Sequence, residues 1–160
     1  MPERRPRGDP APRPVPSRWR SRRVEVHDDS MLPTLRPGDR LLIDRGAYRH
    51  GPPILGDIVV LVDPEQPKRW LVKRVAGVGP GRYWKTASGL TSTGPEPASG
   101  ESVAAPGARE AIDLAEGSVY VTGDSPGSRD SRTFGPVPKT VLVGRAYRCY
   151  APPGRARDLQ

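Results

Sequence analysis

The sequence predicts a single, mainly β domain built of antiparallel sheets, and three observations predict it. Short runs rich in Val, Ile, Leu and Trp recur through residues 24–150, the breaks between them fall on Pro, Gly and Asp, and no segment holds a helical period for three turns. A chain of 160 residues has enough length for one core and too little for two.

Residues 1–23 carry prolines at 2, 6, 10, 12, 14 and 16 between arginines. Such a composition buries too little apolar area to offset the entropy of ordering, so a disordered basic tail is expected there. The folded domain is expected over 24–150, with strands at Val24–Val26, Arg40–Asp44, Asp57–Val62 and Trp70–Val75. Pro37-Gly38-Asp39, Gly51-Pro52-Pro53, Gly56 and Asp63-Pro64 separate them. Residues 76–117, rich in Gly, Pro, Ser and Thr, read as an irregular excursion with one strand at Arg82–Thr86 and a helical turn near Ala108–Leu114. Strands resume at Ser118–Thr122 and Val141–Tyr150, and Ala151–Gln160 is expected to be a loose end.

Lys and Arg number 26 against 18 Asp and Glu, a net charge of +8 that suits an anionic membrane surface. No aromatic–basic stacking pattern or reading motif accompanies the charge, so nucleic acid is not an expected partner. Gly79-Pro80-Gly81 lacks the Lys-Ser/Thr of a phosphate loop. The single cysteine, Cys149, excludes an internal disulfide and reads as a small packing residue. Neither His27 nor His50 has a ligand partner at metal spacing, and no metal or cofactor is implied. The longest apolar run, Ile58–Val62, is strand-sized, and no apolar stretch follows the basic start. The expectation is a bacterial chain without signal peptide or anchor, placed in the cytoplasm or peripherally on the cytoplasmic membrane.

One segment invites chemistry. Asp29-Ser30-Met31-Leu32-Pro33-Thr34 sets a serine after a strand and before a proline turn, where it can stand exposed on rigid backbone. A serine hydroxyl needs a neighbour to take its proton. His27 lies three residues upstream on the same extended segment, and side chains at odd separation face opposite sides. Both histidines read as surface or edge residues. A lysine can serve instead if burial brings its pKa, about 10.4 in water, toward the working pH. Lys73, inside the apolar run Trp70–Val75, is the candidate, against the plain alternative that alternation points it into solvent.

Four boxes in order then resemble type I signal peptidases, serine peptidases with a Ser/Lys dyad. They are Ser30-Met31-Leu32-Pro33-Thr34 with the following Pro37–Asp44 strand, Gly56–Val60, Lys73-Arg74-Val75-Ala76-Gly77, and Gly123–Pro138. Val143-Gly144-Arg145 and Pro152–Arg155 are similar to the short, mitochondrial-inner-membrane-peptidase-like branch. The resemblance implies that Lys73 takes the proton of Ser30 as it attacks a peptide carbonyl, giving an acyl-enzyme that water hydrolyses. It implies that Ser128 orients the lysine, with Ser131 the fallback, and that Asp130 and Arg132 form a supporting ion pair. The implied partner is a preprotein or proprotein with an extended leader, cut after small side chains and bound by strand addition.

The sequence departs from that pattern in places. Asp28 stands where serine or glycine is usual and, ionised, accepts hydrogen bonds only, so it either points away or leaves oxyanion support to the backbone N–H of Ser30. Ser125 replaces an asparagine, and the Gly123–Ser128 loop is one residue short. An N-terminal membrane anchor is not seen, which fits the anchorless proteases that mature nickel-containing superoxide dismutase or a peripheral enzyme. A self-cleaving repressor-type protein and an inactive binding module on the same fold are the rival readings.

Overall fold

The computed structural model describes residues 21–86, 89–92 and 110–159, so most of the basic tail and part of the 76–117 excursion lie outside the described residues. Eleven strands are present among them: β1 Ser21–Glu25, β2 Arg40–Asp44, β3 Ile58–Val62, β4 Trp70–Val78, β5 Gly81–Thr86, β6 Gly89–Ser92, β7 Ala111–Leu114, β8 Ser118–Thr122, β9 Val137–Pro138, β10 Leu142–Ala151 and β11 Arg157–Asp158. One short helix, α1, spans Ser131–Phe134. The fold is mainly β, as the sequence predicts, and all of its pairings are antiparallel.

The main sheet runs in the order β1-β2-β10-β3-β4-β8-β9, with β11 added to β10. Three strands separate β1 from β4 in that order, yet Arg22 of β1 stacks over the Trp70 ring of β4 at 4.8 Å. The sheet is therefore curled, as its twist favours, and it encloses one core of Val26, Met31, Leu35, Leu41, Ile43, Ile58, Val60 and Cys149. A second core of Val59, Leu61, Leu71, Val75, Val119, Val121 and Val137 lies on the opposite face. β3 feeds both: Ile58 and Val60 enter the first, Val59 and Leu61 the second, so a strand with no polar alternation is buried on both faces.

Turn chemistry sets the registers. In Arg36-Pro37-Gly38-Asp39 the Asp39 N–H reaches the Arg36 carbonyl at 3.0 Å and Gly38 takes a φ of 85°, the geometry of a turn with Pro then Gly at its centre. Asp39, fully buried, accepts from the Arg36 N–H at 2.9 Å and from Arg155 at 2.6 Å.

Three boundaries differ from expectation. Ser21–Arg23 belong to β1 rather than to the tail, because their backbone pairs with Leu42–Asp44. Within the excursion, residues 76–78 extend β4 and the strands β6-β5-β7 form a second sheet, and where a helical turn is expected near Ala108–Leu114 the chain forms strand β7 at Ala111–Leu114. Cross-strand pairs Arg82–Asp113 at 2.7 Å and Lys85–Glu110 at 2.8 Å favour that pairing over a helix. The C-terminal segment is docked, not loose: β11 pairs with β10, and Leu159 is buried in the first core.

Candidate active site

β4 decides the position of Lys73. Its buried residues are Leu71, Lys73, Val75 and Gly77, and its half-exposed ones alternate between them, so Lys73 lies on the inward face. Only 1% of the residue is exposed. Its strand neighbours on that face, Leu71 and Val75, and its cross-strand partner Val59 belong to the second core. Lys73 forms no ion pair with any of the described residues. Burial pushes its amine below the usual lysine value; Asp28 and Asp130 pull the other way, and Arg129 and Arg69 add to the lowering.

Ser30 sits in the turn that follows β1, which the Leu32 N–H to Asp29 carbonyl bond (3.1 Å) and the Leu35 N–H to Met31 carbonyl bond (2.8 Å) close. Met31 and Leu35 drive it into the first core, leaving Ser30 8% exposed. Ser30 and Lys73 line one cleft of about 440 Å³ together with Asp28, Arg69, Leu71 and Ser128. Both histidines are on the surface, and neither lines this cleft.

The Gly123–Asp130 loop forms the third wall. The Ser125 N–H donates to the Ser30 carbonyl at 3.0 Å, which ties the loop to the serine's own backbone. Asp130, fully buried, caps α1 through the Arg132 N–H (3.0 Å) and accepts from the Gly123 N–H at 2.7 Å. Arg132 completes the ion pair at 2.6 Å. Burial would raise the Asp130 pKa, but hydrogen bonds from Arg132, Ser128 and the Gly123 amide outweigh it and hold the carboxyl below its ordinary value. The Ser128 hydroxyl donates to Asp130 and accepts from Arg132 at 3.1 Å, so its proton is committed and a lone pair is left for the cleft. Ser131 does not line the cleft; its oxygen accepts from the Val121 N–H at 3.0 Å.

Asp28 neither points away nor leaves the Ser30 amide free. Its Oδ1 accepts from the Ser30 N–H at 3.1 Å, and its Oδ2 stands 3.5 Å from Arg69. Burial tends to raise this carboxyl, yet bonds from the Ser30 side chain and amide, with Lys73 and Arg69 nearby, hold it below the ordinary carboxylate value.

Sequence reasoning missed three basic residues. Arg69 and Arg129 both line the cleft, and Arg129 is itself tied to Asp63 and Glu65. Arg74 makes a two-pronged pair with Asp124 at 2.8 Å for each prong, joining β4 to the loop. Arg74 and Asp124 stand inside the recognised boxes, which was the one available signal; the partners of Arg69 and Arg129 are set by tertiary proximity alone.

The sequence profile of the family described as signal peptidase, peptidase S26, matches residues 19–151. Among similar proteins, the mitochondrial ATP-independent inner membrane protease subunit 1a of Arabidopsis thaliana is 34% identical over 132 residues, 81% of this chain and 70% of that one. The probable signal peptidase I-1 of Synechocystis is 31% identical over 144 residues, 84% of this chain and 73% of that one. A crystal structure of a signal peptidase I from Enterococcus faecalis aligns with a TM-score of 0.43 at 20% identity, over 58% of this chain and 95% of that one. No helix among the described residues is long and apolar enough to cross a membrane. With a profile that spans most of its length and relatives above 30% identity over more than two thirds of theirs, this chain belongs to the signal peptidase family of proteases, peptidase S26.

Proposed function

We propose that the protein is a serine endopeptidase that removes an N-terminal leader from a preprotein, with Ser30 as nucleophile and Lys73 as general base. The observation that carries this reading is the placing of Lys73: an amine on the apolar face of β4, lowered in pKa by burial, opening on the same cleft as Ser30. A neutral amine there takes the Ser30 proton as the oxygen attacks the scissile carbonyl, and the ammonium then protonates the leaving amine. Water, deprotonated by the same amine, hydrolyses the ester and regenerates the serine.

Ser128 orients the base. With its own hydrogen directed at Asp130, its oxygen accepts an N–H of Lys73, and the Asp130–Arg132 pair fixes that polarity. Ser131 is occupied by the β8 backbone, which favours Ser128 for this role.

A second cleft, lined by Arg22–His27, Trp70 and Val72, meets the first at Asp28 and Arg69. An extended leader lying along both would place its scissile bond at Ser30, with Leu71 as an apolar wall suited to small side chains. The basic surface residues suit contact with an anionic membrane, where preproteins emerge.

Incubation with a preprotein-like peptide carrying small residues before the cut should yield one product pair. Ser30→Ala and Lys73→Ala should each lower the rate by about 10³-fold or more, as removal of a nucleophile or its base does elsewhere. Cleavage that persists in both purified variants would remove the dyad.

A further inference from the structure

The strongest unexplained feature of the site is the carboxylate that sits on its nucleophile. With Ser30 read as nucleophile, its own backbone N–H is the oxyanion donor that the family resemblance implies, and that N–H is already bonded to Asp28 Oδ1 at 3.1 Å. One N–H cannot serve a carboxylate and a developing oxyanion together, and two negative charges on the same donor repel. In this arrangement the Ser30 amide is not free to receive a substrate carbonyl oxygen.

The same carboxylate has somewhere else to go. Arg69 stands 3.5 Å from Oδ2, and its backbone is pinned in the β3–β4 turn, donating to the Gln66 carbonyl at 2.8 Å and accepting from the Asp63 N–H at 2.9 Å. The Asp28 side chain is 46% exposed, so rotation toward the guanidinium meets open solvent and not packed core. Arg69 offers a two-pronged pair that replaces the bond lost at Ser30. Both residues lie where the two clefts join, on the path of an extended peptide.

We propose that Asp28 is a resting-state cap on the catalytic serine and Arg69 its latch: an arriving peptide displaces the Asp28 carboxylate from the Ser30 N–H onto Arg69, which opens the oxyanion position only when substrate fills the cleft. This rests on the reading of Ser30 as nucleophile. The cap restrains idle acylation by small esters and water-borne electrophiles, and the displacement makes Asp28 a positioning residue. The charge of Asp28 also acts on Lys73, as do those of Asp130, Arg129 and Arg69, so its removal alters the base's titration as well. The test is therefore made on the high-pH plateau, where the base is neutral in every variant.

The experiment measures acylation of the full chain by p-nitrophenyl acetate. Ser30 Oγ bonds to the acetyl carbon, its proton passes to Lys73, and p-nitrophenolate leaves; mass spectrometry locates the acetyl group. Asp28→Ala should raise the plateau rate about tenfold or more, since a charge-assisted hydrogen bond no longer competes. Asp28→Asn, neutral but still an acceptor, should fall between. Arg69→Ala should slow acylation when Asp28 is present and leave it unchanged in the Asp28→Ala background, a dependence that a merely structural role would not show. Plateau rates in Asp28→Ala equal to or below wild type, with Ser30 still labelled, would overturn the cap while leaving the protease reading intact. The same factor for Arg69→Ala in both backgrounds would overturn the latch. A wild type that is inert while Asp28→Ala is labelled would support the cap strongly. Absence of label in every variant would sink the nucleophile and the cap with it.

Discussion

A lysine with 1% exposure and no ion pair to any described residue is costly when charged, and the protein keeps it among Leu71, Val75 and Val59. That cost has a definite pH signature. Because burial lowers the native pKa below the ordinary 10.5, the unfolded chain binds more protons between the two values, so stability rises with pH across that window. Lys73→Met should therefore be more stable than wild type below the window, and the gap should close as pH approaches 10.5. Denaturant titrations of both chains at several pH values would show it; a constant gap would mean that the amine is not perturbed. That Ser30 and Lys73 share a cleft could be anticipated from the sequence, because their boxes single them out as candidates. The aim of Asp28 was not, since a single sequence shows the charge and not whether it turns toward its neighbour's amide.

At the scale of elements, the loop from Gly123 to Asp130 is tied to the Ser30 carbonyl and carries Ser128, setting both in one frame beside Lys73. Gly123 is needed there for space: a Cβ at this position would lie 2.1 Å from the Ser128 oxygen and 2.5 Å from the Ser30 carbonyl oxygen. Gly123→Ala should thus displace both, lowering cleavage by about 10²-fold while costing about 1–3 kcal/mol of stability. Kinetics alongside a thermal melt would separate the two, and an unaffected rate would show that the loop does not set the geometry. The strands that flank this loop were readable because β3, β4 and β8 are dense in branched residues and β10 is bounded by turn residues. The second sheet was not. β6 and β7 are four residues each, and Ala111 beside Glu110 favours a helix locally, a preference that pairing with β5 overrides.

At the scale of the whole molecule, the C-terminal segment closes the curled sheet. Leu159 fills the first core, and Arg155 neutralises Asp39, whose carboxylate is fully buried in the turn between β1 and β2. Arg155→Ala leaves that carboxylate unpaired and should cost about 1–3 kcal/mol. Arg148→Ala, which breaks an exposed pair with Asp158, should cost at most about 1 kcal/mol. Equal melting shifts in the two variants would show that the C-terminus contributes no lock. This docking was invisible in a segment of Pro, Gly and Arg, because its strand is only two residues long and Asp39, the partner of Arg155, lies 116 residues away in the chain. The curl it completes brings β1 beside β4 and so delivers Ser30 to the edge of the cleft that Lys73 faces from within. The most direct measurement of that arrangement is the titration of the Lys73 amine itself, followed by NMR with nitrogen-15 in the lysine side chains and assigned by comparison with Lys73→Met. A general base at this position should show a midpoint below the ordinary 10.5 that coincides with the rising limb of the cleavage rate against pH. An amine that titrates at the ordinary value, or a rate that rises without following it, would contradict the assignment of Lys73 as the base.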